Sequence, residues 1–168
     1  MHRPVGILYL IQDLGTGGAA RAISVECALA GAKKIYIANI EREQGEELVK
    51  LLKEKTKAEA EFIMWDHAID ILEDTDILSN ATSVGLYPHT DQKPNINYDT
   101  VTETMVVTDV IFNDPHSLFL QEAEKRGAKT VNGLGMLVNQ GALNFTMWTG
   151  VEAPVEVMTE TLRKEFGL

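Results

Sequence analysis

The sequence is 168 residues long, the size of one domain, and this length nearly excludes a two-domain enzyme within the chain. Hydrophobic residues make up 45% of it and charged residues 24%, a globular balance that argues against disorder and fibrous repeats. Because 15 Lys and Arg stand against 25 Asp and Glu, the net charge is -10, which disfavours nucleic acid and anionic membranes as partners.

Cysteine, histidine and hydropathy patterns predict a cytoplasmic protein without a metal site. The single cysteine, Cys27, has no partner for an internal disulfide and is predicted to be buried in a helix. The four histidines lack the spacing of metal ligands. No apolar run approaches the roughly 18 residues of a membrane span. Gln12 and Asp13 interrupt the N-terminal stretch that resembles a secretion signal.

Short apolar runs alternate with segments of helical period, a pattern typical of a parallel sheet covered by helices. Strands are predicted at residues 5–12, 34–39, 61–65, 76–81, 106–112 and 129–131. Helices are predicted after a glycine turn at 15–18, at residues 43–55, from Pro115 to Gly127, and at about 136–148 and 154–166. The prediction is an α/β fold, a Rossmann-like three-layer sandwich with a mostly parallel sheet of about six strands, forming one domain over residues 1–168.

The same patterns predict how the helices pack. One inward face of the first helix is expected to carry four residues, Ala19, Ile23, Cys27 and Ala30. The second helix is expected to turn three leucines inward, Leu48, Leu51 and Leu52. Its exposed side offers a pair between Glu46 and Lys50. Gly31 is expected to end the first helix.

The later part of the chain is predicted in the same way. Residues 87–99, rich in proline and polar residues, form the longest predicted loop. Residues 106–112 are almost continuously β-branched, which is typical of a buried central strand. Asp114 is the expected N-cap of the next helix, with Pro115 at the first helical position and Gly127 after its end.

A glycine turn between the first strand and the first helix is the strongest local motif. It comprises Gly15, Thr16, Gly17, Gly18, Ala19 and Ala20. The missing Cβ of Gly17 lets a pyrophosphate approach the free N–H groups that open a helix. Asp13 opposes such a site through like charge, and an ordinary strand-to-helix turn remains the alternative.

The end of the second strand is the expected ribose site. In dinucleotide-binding folds an acidic side chain there accepts hydrogen bonds from the ribose, whereas an arginine binds a 2′-phosphate. The sequence offers Asn39, Glu41 and Arg42. Glu41 favours NAD and Arg42 favours NADP, so these residues leave the choice open.

Three further segments carry a family resemblance: Asn80-Ala81-Thr82-Ser83-Val84-Gly85, Asp109-Val110-Ile111-Phe112-Asn113, and residues 132–137 with 140–142. Together with the glycine turn, and in this order, they resemble the C-terminal half of shikimate dehydrogenases, including the shikimate/quinate type. The resemblance implies an NAD(P)-dependent oxidoreductase that transfers a hydride between the nicotinamide and 3-dehydroshikimate, giving shikimate.

The resemblance also implies roles for particular residues. The pyrophosphate would lie on Gly15, Thr16, Gly17, Gly18 and Ala19, and the adenosine ribose near Asn39, Glu41 and Arg42. The nicotinamide end would be lined by Ser83, Val110 and Gly133, and the substrate would contact Phe112 and Gln140. Four further apolar residues are predicted to pack rather than to bind a cofactor: Met136, Leu143, Phe145 and Trp148.

Departures from the family pattern lower the expected activity. The N-terminal substrate domain, which supplies the family's Lys and Asp for proton transfer, has no counterpart in this sequence, so no catalytic residue is assigned. Ile40 stands where the family has arginine, which slightly favours NAD over NADP. Phe112 replaces a substrate-side tyrosine and lacks its hydroxyl.

Three hypotheses follow from these observations. The chain is a fragment, or one part of a split enzyme, that is inactive or weak without its substrate domain. Alternatively, it is a non-catalytic dinucleotide-binding or protein-docking module, or a remnant that binds no ligand. The expected partners are a dinucleotide, a shikimate-type molecule if a substrate domain is supplied, and a separate N-terminal domain chain or a second copy of this one.

Overall fold

The computed structural model describes residues 6–11 and 18–168, which form a sheet covered by helices. The strands of this part are β1 Gly6–Ile11, β2 Lys34–Asn39, β3 Glu59–Met64, β4 Ile69–Asp70, β5 Ile77–Asn80, β6 Ile96–Asn97, β7 Val106–Asp109 and β8 Lys129–Val131. Its α-helices are α1 Gly18–Leu29, α2 Arg42–Lys55, α3 Leu118–Glu124, α4 Leu134–Thr149 and α5 Val155–Glu165.

Six strands form the main sheet in the order β3-β2-β1-β5-β7-β8, and every neighbouring pair is parallel. Numbered along the chain, this is the 3-2-1-4-5-6 order of the doubly wound fold. The predicted α/β class and the parallel six-stranded sheet are confirmed. The order reverses between β1 and β5, and folds of this kind bind ligands at the carboxyl ends of the strands beside that point.

Alternate residues of β2 enter two separate cores, one on each face of the sheet. Ile35 and Ile37 pack with residues of α1 and α2. Tyr36 and Ala38 pack on the other face with α3, through Phe119 and neighbouring side chains. Since apolar side chains leave both faces of this strand, the sheet is buried between two layers. The predicted three-layer arrangement is therefore confirmed.

Helix α1 ends as predicted but turns a different face inward. Gly31 adopts a φ of +103°, and the N–H of Ala32 donates to the carbonyl of Cys27, which together close the helix end. The buried residues are Ala20, Ser24 and Ala28. Of the predicted face, Ala19 and Ala30 are exposed and Ile23 and Cys27 are half-buried. The true face is centred one residue later, because small side chains there let the helix approach the sheet.

Helix α2 buries Leu48 and Leu52, while Leu51 is half-buried. The predicted pair of Glu46 with Lys50 is wrong. Glu46 accepts from Arg42 over 3.0 Å, and Lys50 lies 4.0 Å from Glu54. Each exposed position on a helix has a neighbour four residues away in both directions, so sequence spacing alone does not decide between them.

The start of α3 also differs from the prediction. Ser117, not Asp114, is the N-cap, and its hydroxyl accepts from the N–H of Leu120 over 3.4 Å. Asp114 instead accepts from the N–H of His116 over 3.0 Å, so it closes a turn before the helix and Pro115 stays outside it. Gly127 follows the helix end at a φ of +81°, as expected.

Two further predicted segments differ from the observed elements. The predicted loop at 87–99 contains β6, which pairs with β4 in a separate two-stranded parallel sheet. The predicted strand at 106–112 ends at Asp109 and lies between β5 and the edge strand β8, rather than at the centre. After Asp109 the backbone N–H of Ile111 binds the Asp109 side chain instead of a neighbouring strand.

Candidate functional site

Polar side chains stand at the carboxyl ends of three strands of the main sheet. Asn39 is the last residue of β2, Asn80 of β5 and Asp109 of β7. All three are buried, and Asp109 is only 2% exposed. Burying a carboxylate costs free energy unless its oxygens accept hydrogen bonds, so Asp109 requires donors from the residues around it.

Asp109 has three hydrogen-bond donors on its two carboxylate oxygens. The Nδ2 of Asn80 and the backbone N–H of Ile111 each donate to Oδ1 over 3.0 Å. The hydroxyl of Ser117 donates to Oδ2 over 2.6 Å. Burial raises the pKa of Asp109 above its ordinary value of 3.8, and these three donors oppose the shift.

Asn80 extends this network into the loop after β5. Its Oδ1 accepts from the N–H of Thr82 over 3.1 Å and from the Thr82 hydroxyl over 2.7 Å. The same hydroxyl oxygen accepts from the N–H of Val84 over 2.9 Å. The loop carrying Ser83 is thus held at residues on both sides of it.

Gly133 joins the start of α4 to the loop after β7. A Cβ on Gly133 would lie 2.5 Å from the carbonyl oxygen of Ile111 and 2.9 Å from that of Val110. No side chain fits such a gap, so glycine permits this approach. The residues predicted for the nicotinamide end therefore come together: Gly133 contacts Val110, and Val110 donates its N–H to the Asn80 carbonyl over 3.1 Å.

The predicted pyrophosphate turn lies partly outside the described residues, since these do not include Gly15, Thr16 or Gly17. Gly18 and Ala19 are the first two residues of α1, and both are exposed. Because β1 ends at Ile11, α1 begins on the carboxyl side of the sheet. Its first N–H groups therefore lie at the edge where an anion would bind.

The three residues predicted to contact the ribose differ in whether their side chains are available to a ligand. Asn39 is buried, and its Oδ1 accepts from the N–H of Glu41 over 3.0 Å, so that oxygen is already used. Glu41 is exposed at the start of α2. Arg42 is bound to Glu46, and its guanidinium lies 5.3 Å from the centre of the Phe62 ring. Among the described contacts the Glu41 carboxylate has no bonding partner, so it is available to a ligand at this end of β2.

The predicted substrate contacts are accessible. Phe112 is 41% exposed after β7, and Gln140 is exposed on the second turn of α4. Ser83 is exposed, Val110 half-buried and Gly133 buried.

The apolar residues expected to pack on α4 are exposed instead, which corrects that prediction. Exposed apolar side chains lie on α4, on α5 and in the turn between them, and they are here named the α4–α5 apolar face: Met136, Leu143, Phe145, Met147, Trp148, Val151, Val155 and Val157. Trp148 is 81% exposed and Met147 79%. The helix α4 buries only Leu134, Val138 and Ala142, and α5 buries none of its residues.

Within the described ranges, none of the helices is long and apolar enough to cross a membrane. The same residues include no cluster of three or more His, Cys, Asp or Glu side chains suited to a metal ion.

The strand order and the polar carboxyl edge define a doubly wound, Rossmann-like α/β domain. A family model described as the shikimate 5'-dehydrogenase C-terminal domain matches residues 133–163. A shikimate dehydrogenase (NADP(+)) of Methanopyrus kandleri is 48% identical over 151 residues, which cover 89% of this chain and 52% of that protein. The chain is a homologue of shikimate dehydrogenases, and it spans about half the length of the curated relatives it matches.

Solved structures agree with this assignment. The ligand-free 5-ketofructose reductase of Gluconobacter sp. strain CHM43 is 41% identical, with a TM-score of 0.83, over 97% of this chain and 58% of that one. A shikimate 5-dehydrogenase of Listeria monocytogenes in complex with shikimate and NAD is 33% identical, with a TM-score of 0.78, over 96% of this chain and 57% of that one. The relatives named NADP(+) enzymes and the NAD complex do not support the predicted preference for NAD.

Sequence reasoning assigned no role to Asn80 or Ser117 and gave Asp109 no defined one. The available signal was the position of Asn80 and Asp109, a polar residue directly after each of two apolar runs. That position predicts the strand ends, whereas only the structure brings the two side chains within 3.0 Å.

Proposed function

We propose that this chain is the dinucleotide-binding portion of an NAD(P)-dependent oxidoreductase of the shikimate dehydrogenase type. One observation carries the proposal: the start of α1, the free carboxylate of Glu41 and the linked loops of Ser83 and Val110 all lie at the carboxyl edge of one parallel sheet. This edge flanks the point where the strand order reverses.

The chemistry of these groups fits a dinucleotide. The N–H groups that open α1 suit a pyrophosphate, because they are donors at the positive end of the helix dipole. The Glu41 carboxylate suits ribose hydroxyls as a hydrogen-bond acceptor. The half-buried Val110 and the neighbouring Gly133 offer backbone groups and an apolar surface to a flat ring.

The nicotinamide supplies the chemistry when it is bound, by exchanging a hydride with a carbonyl carbon of the substrate. Phe112 would bound the substrate space, and the Gln140 amide would hydrogen-bond a substrate hydroxyl. Neither side chain titrates, so neither can move the proton that accompanies the hydride. We therefore expect little or no turnover from this chain by itself.

The substrate class is a polyhydroxylated carbonyl compound or its alcohol. Shikimate is named for one relative and 5-ketofructose for another. Both molecules present several hydroxyl groups, to which a side-chain amide is suited. Shikimate-type substrates are the first to test, because shikimate dehydrogenases recur among the curated relatives.

The α4–α5 apolar face supports a protein partner for this chain. Many large apolar side chains exposed on one part of a domain indicate an interaction site. The relatives are nearly twice as long as the matched segment, so the proposed occupant is the domain that makes up the rest of those proteins. A second copy of this chain is the competing occupant.

A cytoplasmic location remains a prediction.

Thermal unfolding with NADP+ and NAD+ tests the cofactor part of this proposal. A ligand at 100 times its dissociation constant stabilises the native state by about 2.7 kcal/mol. We expect a saturable rise in Tm with at least one of the two dinucleotides. No rise with either at millimolar concentration would contradict the proposal.

The catalytic part is tested by dinucleotide absorbance with shikimate, quinate and 5-ketofructose. The chain is assayed alone and with a substrate domain taken from a related shikimate dehydrogenase. We expect activity only with the added domain, since orienting a substrate can supply roughly 7–11 kcal/mol of the barrier. Robust turnover by the chain alone would show that it carries its own proton donor.

A further inference from the structure

Asp109 links three separate segments of the chain through its side chain. Asn80 approaches from the end of β5, Ile111 from the loop after β7, and Ser117 from the N-cap of α3. The carboxylate does not reach solvent, because Asp109 is 2% exposed. It therefore acts on other residues of the protein and not directly on a bound molecule.

Two of these segments carry the residues assigned to the nicotinamide end. Ser83 lies in the loop that Asn80 holds through Thr82. Val110 lies between Asp109 and Ile111, so the hydrogen bond from the Ile111 N–H to Asp109 fixes the backbone around it. Gly133 then packs against the carbonyl oxygens of this same loop.

We propose that Asp109 is a positioning residue for the nicotinamide end of the site, where its buried carboxylate fixes the loops of Ser83 and Val110 relative to each other. The inference rests on the proposed dinucleotide site and assigns a residue within it. The start of α1 and Glu41, which serve the other end of the cofactor, have no bond to this network among the described contacts.

The chemistry of the three donors explains why a carboxylate stands here. Two oxygens that only accept can receive an amide, an N–H and a hydroxyl at once. The 2.6 Å bond from Ser117 is short, as expected for a hydroxyl bound to a charged acceptor. An asparagine would fill the same space, but its amino group would face one of these donors and weaken the network. A leucine would remove the acceptor of all three donors and leave the Asn80 amide with only its longer bond to the Val84 carbonyl, over 3.4 Å.

The test compares binding of whole dinucleotides with binding of fragments that lack nicotinamide. Affinities of the wild-type chain and of Asp109→Asn are measured for NADP+ and 2′-phospho-ADP-ribose, and for NAD+ and ADP-ribose. We expect Asp109→Asn to bind the dinucleotides about tenfold more weakly, as for loss of one charge-assisted hydrogen bond. Affinity for the matching fragments should change by less than about twofold.

Asp70→Asn is the control, because it makes the same charge change at an exposed position on β4 while keeping an acceptor for the Asn97 amide. It should leave all four affinities unchanged. Ser117→Ala removes one of the three bonds to Asp109, together with the N-cap bond from Leu120, and carries the same comparison if Asp109→Asn does not fold. We expect it to weaken dinucleotide binding about threefold and fragment binding not at all.

Two outcomes would overturn the inference. One is an equal loss for dinucleotides and fragments, which would give Asp109 a general structural role only. The other is unchanged dinucleotide affinity in a folded Asp109→Asn chain. A wild-type chain that binds neither dinucleotides nor fragments would instead overturn the proposed function, and this inference with it.

Discussion

Gly133 lies so close to Ile111 that a Cβ on the glycine would stand 2.5 Å from the Ile111 carbonyl oxygen. This approach joins the first turn of α4 to the loop that follows β7. The loop in turn is bound to Asp109, so the position of α4 and the position of the candidate nicotinamide end depend on each other.

Replacing Gly133 by alanine should therefore disrupt both the position of α4 and the candidate nicotinamide end. The added methyl would collide with backbone atoms, which cannot move aside as a flexible side chain can. We expect a loss of about 1–3 kcal/mol in the free energy of unfolding, as for overpacking, together with weaker dinucleotide binding. Gly135→Ala is the control, because nothing lies within 4 Å of a Cβ there. Equal stability of the two variants would contradict this account of Gly133.

Glu122 provides a pH-dependent prediction. Hydrogen bonds from Lys125 and Arg126, with Lys93 nearby, lower the pKa of Glu122 from 4.5 to about 2. A lowered pKa in the folded state means that the ionised group stabilises the protein above pH 4.5, and that this contribution is lost as pH falls toward 2.

The difference in unfolding free energy between the wild type and Glu122→Gln should thus be present at pH 7 and shrink steadily below pH 4.5. Urea unfolding at several pH values measures it. Glu160→Gln makes the same charge change on α5 and serves as the control. A difference between wild type and Glu122→Gln that grew on acidification would have the wrong sign for this explanation.

Glu41 should influence the choice between the two dinucleotides. Its exposed carboxylate lies at the end of β2, where it would repel a 2′-phosphate and accept hydrogen bonds from a ribose. Glu41→Gln should raise the affinity for NADP+ relative to NAD+ by about fivefold, the effect of about 1 kcal/mol of removed repulsion. Glu43→Gln, also exposed and in the first turn of α2, is the control. An unchanged ratio in Glu41→Gln would remove Glu41 from the cofactor site.

The α4–α5 apolar face should make the chain associate with itself or with a substrate domain. Met147→Lys places a charge where a side chain is 79% exposed, so it should not disturb folding. Loss of one buried methionine contact corresponds to about 1.5–3 kcal/mol, or at least about a tenfold weaker association. Sedimentation velocity measures this, with Ala30→Lys at the exposed end of α1 as the charge-matched control. Equal association of both variants would exclude this face as the contact.

The regular parts of the fold were predictable because their signals are local. Gly31 and Gly127 mark helix ends through their positive φ, and the predicted bounds of β2 and β8 coincide with the observed strands. The N-cap of α3 was not predictable in this way. Asp114 and Ser117 are both good caps, and Ser117 prevails where its hydroxyl also reaches Asp109 from another element.

The sequence predicts that the site residues lie at strand ends, but it does not predict which of their side chains are buried and which are available to a ligand. Asn39 and Glu41 are two residues apart, yet Asn39 turns inward to bind the backbone and Glu41 remains free. The β4 and β6 strands have two residues each, too few to show any periodicity. The exposure of Trp148 was also missed, because an apolar pattern in the sequence does not distinguish a side chain packed in the core from one on the surface.

Mapping a dinucleotide onto the sheet tests the central claim most directly. In a ¹⁵N-labelled chain titrated with NADP+ and with NAD+, we expect amide shifts at the carboxyl edge, at Gly18, Ser83 and Gly133. Lys57 and Ala60, near the amino end of β3, should not shift. Shifts confined to the region of Lys57 and Ala60, or no shifts at saturating dinucleotide, would contradict the account.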